Sequence, residues 1–118
     1  MVARCFILQE VMKKTERGEF VPVMDFRKVL EYGEPIVCLP SGRVGLTPGP
    51  TIDLLKEKLK DFNDNDFIVP VGHPGLIALA GAIAMNNNRG KMKMLIWDKD
   101  SKRYIKVDYD LNYRTRKD

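Results

Sequence analysis

Histidine occurs once in this chain, at His73, and cysteine twice, at Cys5 and Cys38. One histidine excludes a His-rich metal centre. Two cysteines held in apolar runs (CFIL and IVCL) lack zinc-ligand spacing. Cysteines so placed are expected to be buried, reduced thiols, and a disulfide would need a secretory context. The N-terminus MVARCFILQEVMKK has neither the apolar stretch nor the cleavage site of a signal peptide. Long apolar runs are also missing: the continuous one, Leu76 to Met85, is about half of what a membrane span needs. No Walker A loop, no G-x-G-x-x-G turn and no nucleophile–base pair is legible. Asp61, Asp64 and Asp66 in DFNDND open like a calcium loop, but the sixth place is Asp66 and the twelfth Gly72, where the pattern needs Gly and Glu. Cofactors and metals are therefore not expected.

What is present is a strand, a Gly/Pro turn and a helix, run through twice. GEPIVCLPSGRVGLTPGPTIDLLKEKLKDF and DFIVPVGHPGLIALAGAIAMNNNRG each break a short apolar strand into glycine and proline and restart as a helix. With KMKMLIWD following, this predicts an α/β domain over residues 1–111 with a small mixed sheet. Three parallel strands, 36–39, 67–71 and 92–97, are joined by crossover helices 51–62 and 74–87. Antiparallel strands 3–11 and 103–109 extend the sheet, the last closing a β-hairpin, and 112–118 reads as a flexible basic tail. Residues 13–20 read as a polar turn about Gly18. Residues 21–35 fit a helical turn or an edge strand equally well.

The two helices differ. Ile52, Leu55, Leu59 and Phe62 make one apolar stripe, so the first covers a single face. The second carries no charge from Pro74 to Met85, and small residues keep its surface slim. A helix apolar all round must be covered all round. A homodimer is expected, with Ala78, Gly81, Ala82 and Met85 as candidate interface residues. The left-handed cap at its end is expected at Gly90 or an asparagine.

Two surfaces are candidate sites. The turns after strands 36–39 and 67–71 would emerge on one rim of a parallel sheet, where Ser41, Gly42, Arg43, Gly72, His73 and Gly75 are candidate anion-binding residues. His73 suits an N-cap before Pro74, and turn-forming alone accounts for the glycines. The second surface is basic. Residues 86–118 hold ten Lys/Arg against five Asp, while residues 1–85 are nearly balanced. Arg89, Lys91, Lys93, Lys102, Arg103 and Lys106 are candidate nucleic-acid contacts, with Trp97 and neighbouring tyrosines as stacking surfaces; a solvated face and cross-strand packing explain the same residues.

The stretches LPSGRVGLTPGP, LKDFNDNDFIVPVGHP and NRGKMKMLIWDKDSKRYIKVDYDL resemble small uncharacterised proteins of marine bacteriophages, those of cyanobacteria included, and of marine viral metagenomes. The likeness runs over roughly residues 20 to 111. It implies a viral origin and expression in the infected bacterial cytoplasm, and brings no known activity or cofactor. The expected function is that of a non-enzymatic phage accessory protein, without membrane attachment, that binds a host protein or nucleic acid. The alternative is a binding protein or enzyme for a nucleotide or other phosphate at the two turns.

Overall fold

The computed structural model describes residues 2–22, 26–40 and 48–114. Seven strands and two α-helices follow in the order β1 (Arg4–Gln9), β2 (Met12–Lys14), β3 (Phe20–Pro22), β4 (Glu34–Leu39), α1 (Gly49–Lys58), β5 (Phe67–Val69), α2 (Pro74–Asn87), β6 (Lys91–Asp98) and β7 (Arg103–Asp110). A 3-10 turn, Arg27–Glu31, precedes β4. The main sheet has the order β4-β1-β5-β6-β7, and β2 with β3 forms a separate antiparallel pair.

Strand β1 pairs in parallel with β4 on one side and β5 on the other, and β5 is parallel to β6. This corrects the expectation that residues 3–11 form an antiparallel extension: β1 is the central strand, and four strands are parallel rather than three. The reason lies in CFIL. Cys5, Phe6, Ile7 and Leu8 are all at most 1% exposed. A strand buried on both faces belongs inside a parallel sheet, not at its edge. The antiparallel β7, paired with β6 from Lys91↔Asp110 to Asp98↔Arg103, is where the sequence put it.

The sheet divides two apolar layers. On one face Phe6, Leu8, Ile68 and Met92 meet α1 and α2 through Leu55, Leu59, Phe62, Leu76, Ala80 and Ala84. On the other, Cys5, Ile7, Phe67, Val69, Leu95 and Tyr104 are covered by the 3-10 turn through Val29, with Phe26 and Tyr32 packed alongside. So the ambiguous segment 21–35 divides: β3 ends it at one side, the 3-10 turn follows, and β4 starts at Glu34. Its middle, 23–25, lies outside the described residues. The polar turn around Gly18 (φ +84) is present and links β2 to β3, a short hairpin that no apolar alternation announced.

Helix α2 runs over Pro74–Asn87 as expected, and α1 stops at Lys58, with Leu59 and Phe62 of its stripe completing the packing from the turn beyond. The left-handed residues after α2 are Arg89 (φ +58) and Gly90 (φ +82), so a charged residue shares the cap expected of Gly90 or an asparagine. Asn112 donates to the Arg89 carbonyl at 3.0 Å, which ties the start of the expected tail to this turn; residues 115–118 lie outside the described residues.

Candidate functional site

The chain leaves β1 through the 3-10 side to reach β4, then crosses the helix side through α1 to reach β5. The direction of winding therefore reverses across β1. Where this happens, the carboxyl ends of the strands on either side part and make the ligand crevice of open α/β sheets. Here that crevice lies between the ends of β1 and β5, and β4 ends on the same rim.

The strands that the two expected turns follow, β4 and β5, thus end on one rim, but they are not neighbours. β1 stands between β4 and β5, which sets them about 10 Å apart at ordinary strand spacing. Gln9, the last residue of β1 and only 5% exposed, fills the interval. Its amide nitrogen donates to the Pro40 carbonyl at 3.4 Å, and its side-chain oxygen accepts the His73 N–H at 3.3 Å. Gly72 (φ +118) lies so close that a Cβ there would come within 2.6 Å of the same oxygen. Sequence reasoning missed Gln9; the available signal was a polar residue closing an otherwise apolar central strand.

His73 is the N-cap of α2: its Nδ1 accepts the Gly75 N–H at 3.0 Å. Pro74 has no N–H to offer and the Gly75 N–H is taken by His73, so two of the first three helical positions have no donor left for a ligand at the tip. The rim therefore brings Gly72, His73 and Gly75 together around the start of α2, with most of its donors already used. Ser41, Gly42 and Arg43 lie outside the described residues.

The basic candidates separate. Arg89, Lys91 and Lys93 stand at the start of β6, and Lys102 and Arg103 at the opposite end of the same hairpin. Lys91 faces Asp110 and Lys93 faces Asp108 across the ladder, while Lys106 faces Leu95. Arg89 lies 3.7 Å from Asp64, and the Lys93 ammonium sits 4.4 Å from the centre of the Phe67 ring. Hydrogen bonding from Asn88, reinforced by Lys91 and Arg89, holds the Asp64 carboxyl below the usual carboxylate range. Trp97 packs edge-on against Tyr104 at 5.1 Å, which accounts for both rings within the sheet.

Of the α2 interface candidates, Ala78 and Ala82 are exposed, while Gly81 and Met85 are half-buried, Gly81 lying over Met92. A groove of about 620 Å³ between the helices runs past Ala82 and is lined by Lys56, Lys60, Asn86 and Asn87. The α2 helix covers β1 and β6, whereas β7 packs on β6 and the 3-10 turn. On the helix side of β7, Ile105 is 42% and Tyr109 40% exposed.

Asp66, in the expected polar connection, is instead a buried anchor at 1% exposure. Arg4 grips it through Nη2 at 2.7 Å and Nε at 3.1 Å, and the Arg4 and Asn63 backbone N–H groups donate to it as well. All its acceptor capacity is used in holding β1 to the α1–β5 connection. No group of three or more His, Cys, Asp or Glu side chains that could hold a metal ion exists among the described residues. No helix among them is long and apolar enough to cross a membrane.

The family model of the phage Pam3 gp32-like protein matches residues 3–111. No curated protein and no solved structure matches the chain. It belongs to the phage Pam3 gp32-like family, a phage protein family of uncharacterised function.

Proposed function

We propose that this phage Pam3 gp32-like chain is a non-enzymatic accessory protein that acts in the infected bacterial cytoplasm by binding another protein. The observation that carries the reading is the uneven covering of the sheet. The crevice where such sheets take small molecules is bridged by Gln9, while the helix side of β7, beyond the strand β6 that α2 covers, leaves Ile105 and Tyr109 open. Apolar surface of this kind is stabilised by covering it with protein. Nucleic acid is the less favoured partner, because Lys91 and Lys93 face Asp110 and Asp108 rather than forming one basic field.

Photo-crosslinking in infected cells tests the reading. A photoreactive residue at position 109 should capture one defined protein besides the chain itself, and excess unlabelled chain should compete for that protein. Unlabelled Ile105→Asp should not compete. Capture of nothing but the chain itself would remove the reading.

The small-molecule reading has one observation in its favour: β4 and β5, the strands that the two turns follow, end on one rim. A thermal-shift series with inorganic phosphate and a nucleotide panel separates it: the proposed function predicts no saturable shift. A shift that Arg43→Ala abolishes would move the assignment to a phosphate-binding protein.

A further inference from the structure

The two edges of the sheet are built differently. β4 carries Pro35 within it and Pro40 just past its end, so its ladder misses a donor at Pro35 and is a poor template for another strand. β7 is a regular eight-residue strand, RYIKVDYD, with neither proline nor glycine, and no further strand pairs with it among the described residues. An unguarded edge of that length is a template for strand addition.

The sequence of β7 says which strand it suits. Its pairing with β6 sorts its side chains. Tyr109 and Val107, opposite Met92 and Met94, face the helix side; Tyr104, Lys106, Asp108 and Asp110, opposite Trp97, Leu95, Lys93 and Lys91, face the 3-10 side. When two identical strands pair antiparallel about a two-fold axis, opposed residues must share a face, so only every second register is allowed. Centred on Lys106, the pairing sets Lys106 against itself; centred on Asp108, it sets Asp108 against itself. Like charges directly opposed are destabilising. Centred on Val107, the central oppositions are favourable: Val107 meets Val107, Ile105 meets Tyr109, and Lys106 meets Asp108, each twice by symmetry except the central pair, while Tyr104 meets Asp110 at the ends. Asp108 then lies between Lys93 of its own chain and Lys106 of the other.

We propose that two copies of this chain associate through β7, antiparallel about Val107, to form one continuous ten-stranded sheet. The partner is chosen by self-complementary charge: a strand with this order of Ile, Lys, Val, Asp and Tyr is its own match. This places the subunit contact at β7 rather than at Ala78 and Ala82 of α2. The proposal shares Ile105 and Tyr109 with the functional reading above, and the two fail separately: self-association is read on the isolated chain, capture of another protein in infected cells. A single strand pair buries less than a standard stable interface, so the dissociation constant is expected on the order of 10 µM.

Sedimentation equilibrium of the full chain, with far-UV circular dichroism to verify folding, tests it through a charge exchange. The native chain should follow a monomer–dimer equilibrium. Lys106→Asp alone and Asp108→Lys alone should each weaken self-association by about tenfold or more, because like charges now face each other twice. An equimolar mixture of the two variants should associate again, since the acidic pair at positions 106 and 108 of one then faces the basic pair of the other. Ala82→Glu should leave dimerisation unchanged. A native chain that stays monomeric at a concentration about tenfold above the expected constant would overturn the proposal. So would undiminished self-association of Lys106→Asp, failure of the folded mixture to associate, or loss of the dimer in Ala82→Glu.

Discussion

The His73 backbone N–H donates to the side-chain oxygen of Gln9, which fastens the start of α2 to the end of the central strand β1. The other end of the same amide reaches Pro40 after β4, so one buried side chain joins three parallel strands at their carboxyl ends. An amide at 5% exposure whose partners are backbone groups is costly to remove, because the groups left behind stay desolvated. Gln9→Met, close in shape but unable to bond, is expected to destabilise the fold by about 1–3 kcal/mol, read as a lower urea midpoint at unchanged m-value. Binding of phosphate to the rim should not appear in this variant; if it does, Gln9 is occupying a ligand's place rather than closing the seam.

Gly33 owes its identity to a neighbour rather than to its own backbone angle. A Cβ at this position would overlap the carbonyl of Ala3, the oxygen that also accepts the Glu34 N–H at 2.9 Å and starts the β1–β4 ladder. Backbone cannot yield as a flexible side chain does. Gly33→Ala is expected to cost about 2–3 kcal/mol, with faster hydrogen exchange concentrated in β4. Gly49→Ala, where nothing among the described residues lies within 4 Å, is its control and should leave the thermal midpoint nearly unchanged.

The parts of this fold that were legible in the sequence are those encoded locally. Pro74 and the small apolar residues after it fix α2, and the alternation in Arg103–Asp110 fixes β7. Strand order is not local. CFIL was readable as a strand, and its unbroken apolar character pointed to burial on both faces, yet nothing in those residues states that β4 and β5 flank it. The hairpin β2–β3 was missed because Met12–Lys14, Phe20 and Val21 bury little and so carry no apolar period. Of the rim, the glycine turn before α2 and the capping role of His73 were visible; Gln9 was not, since its partners come from residues 31 and 64 positions away. Asp66 misled for the same reason, as its partner Arg4 lies 62 residues earlier.

That pairing sets a second energetic expectation. Asp66 is 1% exposed and Arg4 keeps 28% of its side chain in contact with solvent, so the guanidinium retains part of its hydration while the carboxylate depends on its partners. Hydrogen bonding to Asp66 raises the already high pKa of Arg4. Removing the arginine leaves a buried carboxylate still supported by two backbone N–H groups; removing the carboxylate strands those donors as well. Asp66→Ala is therefore expected to cost about 3–4 kcal/mol and Arg4→Met about 2 kcal/mol, measured by urea denaturation. The double variant should cost less than the two singles added, since each loss includes the same contact. Equal single costs would mean that the backbone donors contribute nothing.

Cys5 and Cys38 are 0% and 4% exposed, on opposite faces of the sheet, and burial pushes both thiols up to about 11 from 9.0. The folded state thus favours the neutral thiol. The sign follows: below pH 9 the fold carries the full benefit, and as pH rises toward 11 the unfolded chain gives up protons that the folded chain keeps, so stability falls. The loss amounts to about 2 kcal/mol for each thiol by pH 11. Lysines and tyrosines titrate in the same range, so the diagnostic quantity is a difference. Urea midpoints of the native chain should fall more steeply between pH 9 and 11 than those of Cys5→Ala/Cys38→Ala. At pH 8 the same burial should keep both thiols unreactive toward a disulfide reagent until the chain opens, with labelling accelerated by urea. Parallel pH slopes for the two proteins, or fast labelling of the native chain, would show that these thiolates form without unfolding.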